Sequence, residues 1–351
     1  MILNRNDLTE KINRIKSVAN RKTTMPALQC LYIRNGYLIA SDSELTVSVK
    51  LEGTEGQSVL LPPKAFALIP AMTATEISIE QDAKFGLEIS GGSIRTKIKG
   101  MDPKLFPLAE EQQTDTVNTT MLPADVLMQA LKAVLWSIEE KGINDMMRSV
   151  GISAKEGKLN FCGVNNAQMA WFHCDCEGEW NMVLPKPAAK ALLGLGLHGD
   201  VQITSGGKFA EFRTEGCVLT TRLTDTKYLE YTKMFREMPC SADLDRKSFV
   251  KTLERVNLIS EDLLRAPVRL QLENDVMHVE YSGSSVYQED LVMDTAVVSP
   301  VEIYFDAKKL LALLQAYSGE TVHLNLESAQ MPMITSAEDS CLTGLILPVR
   351  R

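Results

Sequence analysis

The chain has 351 residues, of which 45% are hydrophobic and 23% charged, and its formal net charge is −8. This composition argues against a disordered chain and is sufficient to bury two or three domain cores. No apolar run reaches the length of a membrane span, and the N-terminal residues lack the apolar stretch of a signal peptide. The seven cysteines, an odd number, suit reduced thiols better than a disulfide framework. We therefore expect a cytoplasmic protein.

A strand, a helix and a second strand recur three times, over 59–80, 183–204 and 303–326, at intervals of about 120 residues. The strands alternate apolar and polar residues, as half-buried strands do. The helices between them are rich in alanine and leucine. Each helix follows a residue type that ends a strand and opens a helix, and these residues are Pro62, Pro185 and Asp306.

An amphipathic helix is predicted before each of these three strand-helix-strand units, over 6–19, 123–138 and 244–260. Apolar residues recur there at four- and three-residue steps, which indicates one buried face per helix. The predicted stripes are Leu8, Ile12, Ile15 and Ala19; Leu127, Leu131, Val134 and Ile138; and Phe249, Leu253, Val256 and Ser260. Because the repeat has the size of a domain, we predict an α+β fold of three tandem copies. Their predicted bounds are 1–119, 120–240 and 241–351.

The net charge of −8 does not exclude nucleic acid, because a polyanion responds to where positive charges lie rather than to their sum. Basic residues recur on the amphipathic helices, on the side away from the apolar stripe. A basic helix face is often only a solvated surface, but recurrence at one place in the repeat favours a DNA-facing role. The candidates are Arg14, Arg21 and Lys22 in the first copy, Lys132 in the second, and Lys247, Lys251 and Arg255 in the third.

Patterns for catalysis or metal binding are weak. Cys174 and Cys176 would share one face of a strand, but no second ligand pair at zinc spacing accompanies them, so reduced thiols are the better interpretation. The sequence has four histidines and no glycine-rich phosphate loop, metalloprotease helix or nucleophile elbow. Gly91-Gly92 and Gly206-Gly207 fall between alternating strands and predict hairpin turns. We expect neither an enzyme nor a bound cofactor.

Several short segments follow one another in order along the threefold repeat. They are Thr24-Met-Pro-Ala-Leu28, Ala40-Ser-Asp-Ser-Glu-Leu-Thr46, Asp102-Pro-Lys-Leu-Phe-Pro107, Leu223-Thr-Asp-Thr-Lys-Tyr-Leu-Glu-Tyr231, Arg255-Val-Asn-Leu-Ile-Ser260 with Val268-Arg-Leu270, and Leu345-Ile-Leu-Pro-Val-Arg350. With these segments the chain resembles the bacterial DNA polymerase III beta sliding clamp along essentially its whole length.

The resemblance implies a head-to-tail homodimer that closes into a ring, with helices lining a central channel and antiparallel sheets outside. Such a ring encircles duplex DNA without reading its sequence, slides along it, and tethers DNA polymerase and clamp-loader subunits. Two alternatives belong to other classes. One is a scaffold of the same fold that binds peptides but does not encircle DNA. The other is a carboxylate-dependent nuclease or nucleotide-processing enzyme, whose acidic residues would converge on a metal ion.

The resemblance also implies contacts with DNA and between subunits. In the family a basic residue just before the Thr-x-Pro segment touches DNA, and Lys22 holds that place here. The loop after the middle amphipathic helix also touches DNA in the family, which adds Lys141 and Arg148, although the tyrosines often found in that loop are missing. The implied ring-interface residues are Phe106 and Leu108 of one copy and Leu258 and Ile259 of the other.

A partner-peptide pocket between the middle and third domains is implied as well. Clamps of the family bind short linear motifs in an apolar cleft that the C-terminal tail partly walls. The tail matches the family well, whereas 164–169 replaces the Thr-Asp-Gly-His-Arg-Leu run that is typical of the family. Met147 and Met169 keep the wall apolar, and methionine adapts to varied peptides. We therefore expect a pocket with different motif preferences, as in a clamp of a phage, a mobile element or a divergent lineage. The implied pocket residues are Met147, Val164, Asn166, Ala167, Met169, Leu345, Ile346, Leu347, Pro348, Val349 and Arg350.

Overall fold

The structure is a computed structural model that describes residues 1–19, 23–107, 118–260, 266–338 and 340–349. Four of the candidate residues named above lie outside these described residues. They are Arg21, Lys22, Leu108 and Arg350.

The described chain combines helices with longer runs of antiparallel strands, which confirms the α+β class. The helices are α1 Arg5–Ile15, α2 Pro63–Ala71, α3 Ala124–Leu135, α4 Lys186–Gly194, α5 Arg246–Ile259 and α6 Ala307–Gln315. The strands of the first third are β1 Ile2–Asn4, β2 Leu31–Arg34, β3 Tyr37–Ser41, β4 Leu45–Lys50, β5 Ser58–Leu61, β6 Glu76–Gln81, β7 Leu87–Gly91 and β8 Ile94–Ile98. Those of the middle third are β9 Asn118–Pro123, β10 Ser149–Lys155, β11 Lys158–Val164, β12 Gln168–Asp175, β13 Trp180–Pro185, β14 Asp200–Gly206, β15 Phe209–Thr214 and β16 Cys217–Arg222. Those of the last third are β17 Cys240–Asp245, β18 Pro267–Ser282, β19 Val286–Asp306, β20 Thr321–Leu326, β21 Met333–Ala337 and β22 Leu342–Ile346.

The repeated strand and helix order is confirmed in all three copies. Pro62 is the N-terminal cap of α2, Pro185 ends β13 directly before α4, and Asp306 caps α6 by accepting hydrogen bonds from the backbone N–H groups of Lys308 and Lys309 at 3.0 and 3.3 Å. The two predicted hairpin turns are also present, because β7 ends at Gly91 before β8 and β14 ends at Gly206 before β15. The turn glycines that follow, Gly92 and Gly207, have positive φ.

The amphipathic helices bury the predicted stripes, although the helices themselves are shorter than predicted. Every stripe residue is buried except Ser260, which is half-buried at the C-terminal cap of α5. The helix α1 ends at Ile15 rather than at Ala19, yet Val18 and Ala19 remain buried in the turn that follows. The period of the apolar residues therefore predicted burial correctly and overestimated helix length.

Two eight-stranded antiparallel sheets join strands from successive repeats. One has the order β5-β2-β3-β4-β16-β15-β14-β9, in which β4 of the first repeat pairs with β16 of the second. The other has the order β13-β10-β11-β12-β22-β21-β20-β17, in which β12 of the second repeat pairs with β22 of the third. Each pairing covers a strand edge that would otherwise face solvent.

The chain divides into two compact units, each built on one of these sheets. The first comprises Met1–Met128 and Pro187–Leu223, and it also contains the four-stranded sheet β1-β6-β7-β8 and the packed pair α1 and α2. The second comprises Gln129–Lys186 and Thr224–Arg351, and it also contains the long β18–β19 hairpin and the packed pair α5 and α6. The division into three domains at 1–119, 120–240 and 241–351 stays a proposal. Within the described ranges, no helix has the length and apolar character needed to cross a membrane.

Candidate functional site

A cavity of about 290 Å³ opens in the second unit, next to the C-terminal tail. Its apolar lining includes Leu345 and Leu347 from the tail, two of the residues proposed for the peptide pocket. The remaining lining residues come from 233–238 and from the segment before β21. They are Lys233, Met234, Arg236, Met238, Met331 and Pro332.

An apolar cluster in the same unit supports the tail side of this cavity. Val164, Met169 and Leu345, all proposed from the sequence, belong to it together with Cys162 and Ile334. Leu345 reaches Met169 because β12 and β22 pair antiparallel with these two residues opposite each other. Half-buried side chains pack against the cluster, and they are Met146, Tyr228, Leu229, Tyr231, Phe235 and Met238.

Backbone hydrogen bonds fix the course of the tail beyond β22. The N–H of Leu347 donates to the carbonyl oxygen of Ala167 at 2.8 Å, and the N–H of Val349 donates to that of Tyr304 at 2.8 Å. These bonds hold Leu347 at the cavity, where its side chain is 41% exposed. Ile346 is instead buried within the sheet, and Pro348 is half-buried. The tail thus contributes alternate side chains to the cavity and to the core.

The proposed wall residues Asn166 and Met147 contact the segment that follows α3. The side-chain amide of Asn166 donates to Oε1 of Glu139 at 3.1 Å. The backbone N–H of Glu139 donates to the carbonyl oxygen of Met147 at 2.9 Å. Met147 is half-buried, whereas its neighbour Met146 is the one that packs against the apolar cluster.

Aromatic rings form the part of this region that the sequence analysis missed. The Trp171 ring lies 5.3 Å from that of Phe235 and 6.0 Å from that of Tyr231, between ring centres. The Tyr228 hydroxyl donates to the carbonyl oxygen of Cys162 at 2.7 Å, and burial raises the pKa of Tyr228 and of Tyr231. The aromatic and methionine content of 228–238 was the available signal, since such side chains build adaptable apolar sites.

Both cations near the cavity lie in the same short segment. The Arg236 guanidinium forms an ion pair with Glu327, and Lys233 lines the cavity wall.

The basic residues proposed to contact DNA differ in exposure and in the ion pairs that they form within the chain. Lys132, Lys141 and Lys251 are exposed. Lys247 is exposed and lies 3.3 Å from Oε1 of Glu320. Arg148 forms an ion pair with Asp145. These weak surface pairs leave such cations available to a competing anion.

Arg14 and Arg255 are held more firmly. Nε of Arg14, a half-buried residue, donates to the carbonyl oxygen of Leu195 at 2.8 Å. Nη2 of Arg255 donates to both carboxylate oxygens of Glu289, at 2.6 and 2.7 Å, and its Nε donates to the Tyr287 hydroxyl at 2.7 Å. These hydrogen bonds raise the pKa of Arg255. Burial works against ionisation of Glu289, but the hydrogen bonds from Arg255 and Tyr287 hold its pKa below the usual value.

The residues proposed for the ring interface differ in exposure. Leu258 is 84% exposed at the end of α5, and Ile259 beside it is half-buried. Phe106 is only 4% exposed, since it packs in a core cluster with its ring 5.2 Å from that of Tyr32. Of the three proposed interface residues that the structure describes, Leu258 is the one with an exposed apolar side chain.

The cysteines are free thiols at different depths. Cys30, Cys162 and Cys217 are buried, and burial raises the pKa of Cys30 and of Cys217 to about 11 each. Cys174 and Cys176 are half-buried on and just after β12. Within the described ranges, no three His, Cys, Asp or Glu side chains come together in a way that could hold a metal ion.

Known proteins resemble this chain in sequence. Residues 236–350 match the family model for the C-terminal domain of the DNA polymerase III beta subunit. The chain is 21% identical to the beta sliding clamp of Halalkalibacterium halodurans, covering 96% of each chain. It is also 21% identical to that of Chlamydia pneumoniae, covering 99% of this chain and 98% of the relative.

Solved structures share the whole fold. The DNA polymerase III beta subunit of Pseudomonas aeruginosa superposes with a TM-score of 0.90 at 18% identity, covering 100% of both chains. The beta subunit of Streptococcus pyogenes DNA polymerase superposes with a TM-score of 0.91 at 19% identity, covering 100% of this chain and 99% of that one. The fold is thus that of a DNA clamp. Together with the sequence relatives and the matching C-terminal domain, the fold makes the chain similar to beta sliding clamps over nearly its whole length.

Replacing Gly151 by Ala should destabilise the second unit and disturb the cluster beneath the cavity. A methyl group on Gly151 would lie 2.4 Å from Cδ1 of Tyr228, so the ring must move. We expect a loss of about 1–3 kcal/mol in the free energy of unfolding. Urea unfolding followed by tryptophan fluorescence measures it, because Trp136, Trp171 and Trp180 all lie in this unit.

The matched background for this test is Tyr228→Ala. There the added methyl group meets no ring, so Gly151→Ala should cost little further stability. An equal loss in both backgrounds would contradict the assignment of the clash to Tyr228.

Proposed function

We propose that the chain is a DNA polymerase processivity factor. Two copies join head to tail into a ring that encircles duplex DNA, slides along it, and tethers DNA polymerase and clamp-loader subunits. The observation that carries the proposal is the similarity to beta sliding clamps over nearly the whole length of both chains, in sequence and in fold. The clamp family is not enzymatic, so the role is mechanical.

The sheet topology supports closure by a second copy. Within the chain, pairing between successive repeats builds sheets of eight strands. The four-stranded sheet that ends at β8 and the two-stranded β18–β19 hairpin are smaller and belong to the first and last repeats. A contact between the first repeat of one copy and the last repeat of another would continue the same pattern. Such a heterologous contact makes a ring when its rotation closes.

Exposed cations on the helices would meet the phosphates of the encircled duplex. We propose Lys132, Lys141, Lys247 and Lys251 as the main contacts, since each is exposed and at most weakly paired. Arg14 and Arg148 would have to share their existing partners, and Arg21 and Lys22 complete the proposed set. Contacts to phosphates carry no base information and weaken with salt. The ring would act on DNA at the nucleoid, in the cytoplasm.

The cavity of the second unit would hold the short motif of a polymerase or loader subunit. It is apolar and methionine-rich, which suits an extended peptide with large apolar side chains. Lys233 and Arg236 beside it favour a motif that also carries an acidic residue. The tail residues Leu345 and Leu347 would form one wall of this site.

A scaffold that does not encircle DNA is the second candidate function. One observation favours it, because Arg14, Arg148, Lys247 and Arg255 are all engaged by acceptors of the chain itself. The scaffold would keep its peptide binding and lack any dependence on Lys247 or Lys251.

Replacing both Leu258 and Ile259 by Glu should convert the dimer into a folded monomer, because two charges would then be buried in an apolar contact. Light scattering over a dilution series measures the mass, and the chain alone weighs 38.9 kDa. The control is Met121→Glu, a charge placed on another apolar side chain that is 56% exposed. A double variant that keeps twice the chain mass would remove Leu258 and Ile259 from the interface.

Replacing Leu347 by Glu should weaken peptide binding roughly ten-fold or more while leaving the dimer intact, because the substitution puts a charge into the apolar cavity wall. Fluorescence polarisation with a labelled clamp-binding peptide of a bacterial replicative polymerase measures the affinity. Met121→Glu again serves as the control. Equal affinities of Leu347→Glu and the parent chain would move the peptide site away from this cavity.

A further inference from the structure

Arg255 makes the most extensive set of side-chain contacts among those candidate DNA-binding residues that the structure describes. Its Nη2 bridges both carboxylate oxygens of Glu289, at 2.6 and 2.7 Å, and also lies 3.3 Å from the Thr252 hydroxyl. Its Nε donates to the Tyr287 hydroxyl at 2.7 Å. The Tyr287 hydroxyl in turn donates to Glu289. Arg255, Tyr287 and Glu289, here called the α5–β19 triad, thus form one closed hydrogen-bonded group.

The triad joins the C-terminal end of α5 to a firmly held strand. Glu289 stands opposite Val279 and Tyr287 opposite Tyr281 in the β18–β19 hairpin. Val279 and Tyr281 are both buried, so this part of the hairpin is anchored in the core of the unit. The acceptors of Arg255 therefore have little freedom to follow the guanidinium elsewhere.

Arg255 lies one turn before the exposed end of α5. Leu258 and Ile259 follow it by three and four residues, on neighbouring positions of the helix surface. Val256 fixes the inner side of this turn in the core, while helix ends tend to fray. The triad supplies a second attachment of this turn, through the hydrogen bonds of Arg255 to Glu289 and Tyr287.

The same contacts disfavour Arg255 as a phosphate ligand. To reach a phosphate, the guanidinium would have to leave a two-oxygen contact with a carboxylate, which is among the stronger polar contacts of side chains. Glu289 would then remain beside the phosphate as an unpaired negative charge, and like charges repel. Lys251, one turn earlier on α5, is the better phosphate ligand because it is exposed.

We propose that Arg255 is a positioning residue for ring closure rather than a contact to DNA. Through Glu289 and Tyr287 it holds the last turn of α5 so that Leu258 and Ile259 meet the second copy. This role rests on the proposed function, in which that apolar pair forms the subunit contact. The structure assigns Glu289 and Tyr287 to the same task.

The test measures the dimer dissociation constant of the full chain by sedimentation equilibrium. Arg255→Gln and Glu289→Gln should each raise it roughly three- to ten-fold, and the double variant should be no worse than either single one, because all three remove one shared interaction. The charge-reversed pair, Arg255→Glu with Glu289→Arg, should restore much of the affinity. Tyr287→Phe should have a smaller effect.

Two controls separate positioning from a general loss of stability. Arg213→Gln breaks an ion pair of matching exposure, 50% for Arg213 and 28% for Glu211 against 45% for Arg255 and 28% for Glu289, and it should leave the dimer unchanged. In a Leu258→Ala background, Arg255→Gln should lose most of its effect, since the side chain that it positions is gone. Circular dichroism checks that every variant is folded.

The outcomes are distinct. If the parent chain is a stable dimer and neither Arg255→Gln nor Glu289→Gln changes its dissociation constant, the positioning role is wrong and the ring remains. A second result would also overturn it. If Arg255→Gln lowers the slope of log K for DNA binding against log salt concentration by about one and leaves the dimer unchanged, Arg255 contacts a phosphate. A parent chain that is monomeric at every concentration would overturn the ring and this role together.

Discussion

Antiparallel pairing between strands of successive repeats is the constraint on which the rest of the structure depends. A repeat of this size leaves exposed strand edges, and an unpaired edge invites aggregation. Here β4 pairs with β16 in one sheet and β12 pairs with β22 in the other. The second repeat thus gives half of its strands to each neighbour, which explains why the chain separates into two compact units rather than three.

This pairing also sets where the functional groups lie. The register of β12 against β22 places Leu345 opposite Met169, and it carries the tail on to Leu347 at the cavity. The helix α5 keeps Phe249 and Leu253 in the core, and this orientation leaves Lys247 and Lys251 exposed. Sheet pairing therefore builds the proposed peptide site, and helix amphipathicity builds the proposed DNA-facing surface.

Local patterns in the sequence predicted most of the elements and part of the site. The apolar steps of the helices gave the buried stripes, but they extended α1 past Ile15 because Val18 and Ala19 are buried without being helical. Contacts between segments that are distant in the chain have no local sequence pattern that could predict them. Met234 and Met331 meet at the cavity only through the folded sheet. The acceptor of Arg255, Glu289, lies 34 residues further along the chain on the β18–β19 hairpin, a separation that no local period encodes.

The central claim is that the protein holds DNA by encircling it, and the most direct measurement is retention on linear duplex with blockable ends. The protein threads onto duplex biotinylated at both ends, streptavidin then blocks the ends, and the complex is washed in about 1 M salt, which removes purely electrostatic binding. The account predicts that protein stays on blocked DNA and leaves when a restriction cut opens an end. Equal loss from blocked and open DNA would contradict it.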